Sequence, residues 1–308
     1  MRRALTYTVR EVVPYINWIY YFHAWGMEPR FGTIAGIHDC PSCRAGWIAS
    51  FDMNERAKAQ EAVKLYQEAV EQLNLWADKP LCHALFLLAD AYSDGDDIII
   101  AGKRIPFLRQ QHAGSSGYTL CLSDFVAPCR DLAAEADTIA NRIGVFAASI
   151  NPKPSSINSE APGLSKSPEP NTLTHSLLAD RLAEATAEKM HEEVRKHYWG
   201  YAKDEQLTMP ELHAERFQGI RPAVGYPSLP DQSINFLIDE LLRFEDIGIS
   251  LSEHGAMRPH SSVSGFMFGH PQAHYFSVGA IGEDQLRDYS LRRGLSADAL
   301  RNFLVSNL

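Results

Sequence analysis

Two apolar runs a few residues apart, CHALFLLADAY (82–92) and DDIIIAGKRI (96–105), constrain the fold more than any other feature of the chain. The turn around Ser93-Asp94-Gly95 joins them as neighbouring strands, which makes them an antiparallel hairpin. YTLCLSDFVAP (118–128) reads as a strand leading into an irregular segment, and IGVFAAS (143–149) as another strand. SVSGFMFGHP (262–271) and HYFSVGAIG (274–282) read as a second hairpin. Strands that mostly neighbour one another in sequence, with helices before, between and after them, predict an α+β fold on an antiparallel sheet.

The helices are marked by their apolar spacing. In 54–76, Ala62, Tyr66, Ala69, Leu73 and Trp76 recur at four- and three-residue steps, giving one buried stripe. A long helix over 175–200 carries Leu178, Leu182 and Ala185 on one face and ends at Gly200. TMPEL (208–212) offers a capping box, with Thr208 as N-cap and Glu211 three residues on. An amphipathic helix over 234–248 closes at Gly248, and two C-terminal helices are split at Gly294, the second capped by Ser296. The stretch 151–173 is dominated by Pro, Ser and Asn and cannot offset its own ordering entropy, so a mobile loop is expected there. Neither half shows a fold signature of its own, and 151–173 is read as an insertion in one domain spanning 1–308.

Composition excludes several classes. No apolar run approaches the roughly 18–20 residues that span a bilayer, and the N-terminus MRRALTYTVREVV lacks the apolar core of a signal peptide. A cytoplasmic protein is expected. The formal charge of −9 argues against nucleic acid or an acidic membrane as partner. Cys40, Cys43, Cys82, Cys121 and Cys129 make an odd count in a long chain, which argues against a disulfide framework. The CPSC motif at 40–43 reads as part of a loop. It lacks the second C-x-x-C or H-x-x-x-H that would complete a zinc site, and no metal is assigned. His191 and His197, six apart, share no helix face and read as surface residues. His270 and His274 flank the second hairpin turn and read as solvent-exposed or as supporting residues behind a site. No GxGxxG or P-loop occurs, and SVSG lacks the frame of a nucleophile elbow.

One loop is stiffer than a connection requires. QGIRPAVGYPSLPDQ (218–232) holds three prolines and two glycines around Arg221 and Tyr226. Pro222 restricts Arg221 to an extended backbone, Pro227 does the same for Tyr226, and Gly225 permits close approach of a ligand. The product is a hook that presents a guanidinium, suited to a carboxylate, and an aromatic ring, suited to a cation or a base. S-adenosylmethionine carries all three groups. The alternative is a local ion pair, such as Arg221 with Glu215, and Tyr226 packed in the core.

The segments LLADRLAEATAEKMHEEVRKHYWGYAKDE, ERFQGIRPAVGYPSLPD and IGISLSEHGAMRPHSSVSGFMFGHPQAHYFSVGAIGEDQLRDY, in that order, resemble the reactivation domain of cobalamin-dependent methionine synthase. REVVPYINWIYYFHAWGM (10–27) and SGYTLCLSDFVAP (116–128) extend the resemblance to nearly the whole chain. It implies a single C-shaped α+β domain with a bent antiparallel sheet. It further implies binding of S-adenosylmethionine and support for reductive methylation of inactive cob(II)alamin. The cobalamin-bearing modules of methionine synthase and a flavodoxin or other one-electron reductase would be the partners. No D-x-H-x-x-G cobalamin signature is present, so cobalamin is expected only on the partner, and the chain is not expected to turn over alone.

By the same resemblance, Arg221 grips the methionine carboxylate, Gly225 and Tyr226 shape the same wall, and Tyr275 and Phe276 stand beside the ligand. Asn17 occupies a position where the family usually has aspartate, and Gln232 one where relatives carry histidine. Both departures keep open a second reading, a module that senses S-adenosylmethionine or scaffolds a complex without supporting methyl transfer. No catalytic residue is assigned.

Overall fold

A computed structural model describes residues 1–113, 117–128, 139–150, 172–304 and 307. The expected loop at 151–173 lies almost wholly outside them. The strands are β1 (Arg2–Tyr7), β2 (Cys82–Asp94), β3 (Asp97–Ile100), β4 (Lys103–Pro106) and β5 (Arg142–Ile150), followed by a small ribbon of β6 (Ser250–Leu251) and β7 (Met257–Arg258), then β8 (Ser262–Met267). Among the described residues the main sheet has six strands in the order β4-β3-β2-β5-β8, with β1 also paired to β2.

β2 is the spine of this sheet, and every strand ladder in it is antiparallel. Its first half pairs β1 on one edge, Cys82 to Leu87 against Tyr7 to Arg2. Cys82 to Asp90 pairs β5 on the other edge, and Ala91 to Asp94 turns back into β3 as the predicted hairpin. The sheet curls into an antiparallel half-barrel with helices against it, the expected α+β class.

Helices α1 (Val9–Val12), α2 (Trp18–Ala24), α3 (Pro41–Ala49) and α4 (Arg56–Trp76) precede β2. After β5 come α5 (Thr172–Glu193), α6 (Met209–His213), α7 (Ile234–Leu242), α8 (Glu283–Arg293) and α9 (Ala297–Phe303). The sheet is covered on both faces. Ala84, Phe86, Phe146 and Ala148 join a core with α4 and α5, while Leu85, Val145, Ala147 and Phe266 join a second core with α7. Alternate residues of β2 and β5 therefore enter opposite cores, which is why IGVFAAS is apolar throughout and not alternating. A smaller cluster of Val278, Leu286, Tyr289 and Leu300 seats α8 and α9. None of the described helices is long and apolar enough to cross a membrane.

Local signals set most boundaries. Thr208 and Glu211 form the capping box of α6, and Ser296 caps α9 by accepting from the Ala299 N–H. α5 runs on through a wider turn at Val194–Tyr198, and the chain leaves it at Gly200 with φ +76°. The helix expected over 234–248 stops at Leu242, because Arg243 takes a left-handed conformation. A 3-10 turn then carries the chain to Gly248.

Four further expectations are corrected. Residues 274–282 form no strand, so there is no hairpin with β8, whose ladder partner is β5. Their backbone groups are taken up elsewhere: the Val278 N–H donates to the Pro227 carbonyl at 2.9 Å, and Gln110 Nε2 donates to the Ser277 carbonyl at 2.8 Å. Residues 118–128 contribute two isolated bridges, Arg109 to Cys121 and Ser93 to Pro128, on either side of a 3-10 turn, not a strand. The CPSC motif opens helix α3, with Cys40 as its N-cap and Pro41 in the first turn.

The fourth correction is His191, which is fully buried. Ala183, Ala187, His191 and Arg195 follow at four-residue steps and are all buried, so the small alanines bring this face of α5 against the core. His191 Nδ1 accepts from Arg195 at 2.9 Å, and Glu205 pairs Arg195 through both carboxylate oxygens at 2.9 and 2.7 Å. Burial, reinforced by Arg195 and Arg221, pushes the His191 pKa well below its ordinary value, so the ring is neutral.

Candidate functional site

The stiff stretch around Arg221 lies along the open edge of β8. The Ile220 N–H donates to the Phe268 carbonyl and the Phe268 N–H to the Ile220 carbonyl, both at 2.9 Å. The Phe266 N–H reaches the Pro222 carbonyl at 3.1 Å, and the Val224 N–H the Ser264 carbonyl at 2.9 Å. The segment thus continues the sheet by one short extended stretch, in the conformation that Pro222 imposes on Arg221. Contact is close at Gly265, where a Cβ would sit 2.1 Å from the Pro222 carbonyl oxygen. Only glycine lets the two backbones meet there.

Period-2 geometry then sends Ile220 into one core and Arg221 to the other face of the sheet, toward α5. Its guanidinium lies 5.4 Å from the centre of the Phe146 ring and donates to Glu188 Oε2 at 3.0 Å. The Arg221 backbone N–H donates to the Tyr275 hydroxyl at 3.0 Å. Burial alone would weaken the arginine's charge, but Glu188, Tyr275 and Glu184 outweigh it and raise the pKa. Arg221 Nε and Glu188 Oε1 are buried and have no hydrogen-bond partner among the described residues.

The hook faces a cavity of about 460 Å³. On α5, Arg181, Glu184, Ala185 and Glu188 line it, on the face beside the buried Leu178, Leu182 stripe. Tyr226 stands at the rim, 51% exposed, and its hydroxyl donates to Glu184 at 2.8 Å. Asn17 and Tyr20 close the N-terminal wall. Asn17 is the N-cap of α2, its Oδ1 accepting from the Ile19 N–H at 3.1 Å. Tyr275 and Phe276 supply the wall beside Arg221. They are pinned by Ser228, whose hydroxyl donates to the Phe276 carbonyl and accepts from the Phe276 N–H. Burial pushes the Tyr275 hydroxyl up to about 12, against the opposing pull of Arg221.

Glu215 enters just after α6 with φ +56°, a left-handed backbone uncommon outside glycine. Burial and then Glu188 raise its pKa, while Arg221 lowers it. The cavity therefore combines one buried guanidinium, three carboxyl groups and an aromatic rim. A ligand with a carboxylate for Arg221, a positive group for the glutamates and an aromatic plane for the tyrosines would be matched on every wall.

The structure gathers five of the six residues expected at the site, Asn17, Arg221, Tyr226, Tyr275 and Phe276, around this cavity. Gly225 is not among the lining residues; its φ of +89° lets the chain turn between Ala223 and Tyr226. Gln232 is exposed and also lies outside the lining. Arg221 pairs with Glu188 and not with the local Glu215, and Tyr226 is at the rim and not in the core.

The acidic residues of α5 are the part that sequence reasoning missed. The signal was present as Arg181, Glu184 and Glu188 at three- and four-residue steps, but such a stripe ordinarily marks a solvated helix face. The serines of SVSG are structural: Ser264 is buried and donates to Asn235 Oδ1 at 2.5 Å. His197 and His274 are exposed, as expected, while His270 is half-buried. Cys82 and Cys121 are free buried thiols, each pushed up to about 12 by burial.

A family model described as the activation domain of vitamin B12 dependent methionine synthase matches residues 8–294. The fold is also similar to a crystal structure of the MetH reactivation domain bound to AdoHcy, with 31% sequence identity and a TM-score of 0.79. That match covers 100% of this chain and 90% of the other.

Proposed function

The chain belongs to the family of vitamin B12 dependent methionine synthase activation domains, and on that premise we propose that its cavity binds S-adenosylmethionine for methylation of a cobalamin held by a separate module. The observation that carries this reading is the buried Arg221, paired with Glu188, sharing one cavity with Glu184 and Glu215. S-adenosylmethionine is a carboxylate, an ammonium and a sulfonium in one molecule, attached to an aromatic base. Its by-product, AdoHcy, is the ligand of the similar crystal structure.

In this reading Arg221 receives the carboxylate, and Asn17 hydrogen-bonds the α-amino group. The carboxylates of α5 offset the remaining positive charge. Tyr226, Tyr275 and Phe276 provide the apolar and aromatic wall for the adenosine and the sulfonium. The protein's task is to hold the methyl donor in one orientation, which is a positioning role and not acid–base chemistry. The S–C bond breaks with its electron pair left on sulfur, and the methyl group passes to cobalt that a one-electron donor, a flavodoxin or similar reductase, has first reduced. The setting is methionine biosynthesis in the cytoplasm.

Calorimetric titration of S-adenosylmethionine tests the binding half. Wild type binds with one site per chain, and Arg221→Ala abolishes binding. The methylation half is tested by restoring a cob(II)alamin-trapped methionine synthase that lacks its own reactivation domain, using this protein, S-adenosylmethionine and reduced flavodoxin. Binding without restored turnover would favour a sensing or scaffolding module instead.

A further inference from the structure

His38, Cys40 and Cys43 form a cluster of metal-ligating side chains outside the cavity. The Cys-x-x-Cys motif straddles the start of α3, with Cys40 at the N-cap and Cys43 one turn in, and the Cys43 N–H donates to Cys40 Sγ at 3.2 Å. The chain doubles back just before the helix, where the Cys40 N–H donates to the His38 carbonyl at 2.8 Å. That turn brings the imidazole to the same side as the two thiols. One ring nitrogen and two sulfur atoms then lie within 4.8 Å of one another.

We propose that His38, Cys40 and Cys43 bind a zinc-class divalent cation through one imidazole nitrogen and two thiolates, with the fourth tetrahedral position open to water. Bond lengths of about 2.0–2.3 Å to tetrahedral zinc put neighbouring ligand atoms roughly 3.5–3.8 Å apart. The three donors therefore need to close by at most about 1.3 Å, a side-chain rotation available to an exposed histidine and two half-buried cysteines. A donor set of one nitrogen and two sulfurs selects zinc-like ions over calcium or magnesium, which prefer oxygen. The neighbouring Asp39 carboxylate is engaged by Arg44 at 2.9 Å. A search for a downstream ligand pair overlooks this site because its third ligand lies two residues upstream of the motif.

The position gives the site a structural role. Trp47 of α3 donates through Nε1 to Thr33 Oγ1 at 3.0 Å in the 3-10 segment Pro29–Gly36. Gly32 of that segment meets α2 at Ile19, where an added Cβ would come within 3.1 Å of the backbone. The metal closes the junction between this segment and α3, on the support behind the wall that carries Asn17.

The test is titration of the reduced full chain, under anaerobic conditions, with zinc(II) against a chromophoric chelator and with cobalt(II) as a spectroscopic probe. One equivalent binds, cobalt gives thiolate charge-transfer and tetrahedral ligand-field bands, and zinc raises the midpoint of thermal unfolding. His38→Ala, Cys40→Ser and Cys43→Ser each weaken binding by more than about a hundredfold, beyond the loss caused by removing an outer-shell partner. Circular dichroism and S-adenosylmethionine titration establish that the variants are folded. The proposal is overturned if the reduced chain takes up no metal, or if binding survives Cys40→Ser with Cys43→Ser. It is also overturned if His38→Ala leaves affinity and cobalt spectrum unchanged, or if the thiols form a disulfide and never a metal complex.

Discussion

Glu188 holds Arg221 at 3.0 Å across the junction between a helix and an extended strand, with the two side chains only 16% and 10% exposed. The pair fixes the guanidinium where the cavity needs it. The strand alone fixes only the backbone.

Removing one partner leaves the other charge buried. Arg221→Ala is expected to cost about 3–5 kcal/mol of stability as well as ligand binding, measured by urea denaturation and calorimetry. The double variant Arg221→Met with Glu188→Leu recovers most of the stability and none of the binding. If single and double variants lose equal stability, the pair is not the anchor.

Asn17→Asp should strengthen binding of S-adenosylmethionine by about tenfold, the gain from making one hydrogen bond charge-assisted. Asparagine and aspartate are equally good helix N-caps, so thermal stability should not change. Asn17→Ala, by contrast, removes the cap on the Ile19 N–H and costs about 1 kcal/mol.

Glu215 makes stability depend on pH in a defined sense. Its folded pKa is raised by burial and by Glu188, so the native state holds the proton more tightly than the unfolded chain does. The contribution is fully present below the ordinary glutamate pKa and is lost as pH rises through the raised folded value. Wild type should therefore lose stability relative to Glu215→Gln over that window, seen in urea midpoints at successive pH values. A cationic ligand favours the ionised carboxyl, so its affinity should rise with pH over the same window, and Glu215→Gln should flatten that rise.

Gly265→Ala tests the backbone contact between β8 and the hook. The added methyl would meet the Pro222 carbonyl, and overpacking of this kind costs about 1–3 kcal/mol. Because Arg221 moves with Pro222, ligand affinity should fall more than stability does. A variant that binds normally would show that the hook does not depend on β8.

The legible parts of this fold are those written in local chemistry. The prolines flanking the hook, the Thr208–Glu211 box, and the glycine at 294 each act within a few residues, and each appears where expected. Residues 274–282 were misread because their apolar pattern suits a strand, yet Ser228, Pro227 and Gln110 satisfy the backbone from distant positions. The opening of α3 was hidden because cysteine is not among the preferred N-caps. The acidic wall of the cavity was illegible for a deeper reason. Glu184 and Glu188 look like any solvated helix face until β8 and the hook are folded against them.

The sheet's long-range pairing has a kinetic consequence. β2 must find β1 some eighty residues before it, and β5 must find β8 more than a hundred residues after it. The cavity then joins Asn17 to Phe276. Contacts this distant in sequence form late and slowly, so no ribosome-bound fragment ending before residue 276 contains a complete pocket. A pocket assembled from both ends of the chain thus reports the completion of synthesis: any molecule that needs all of its walls meets only the finished polypeptide.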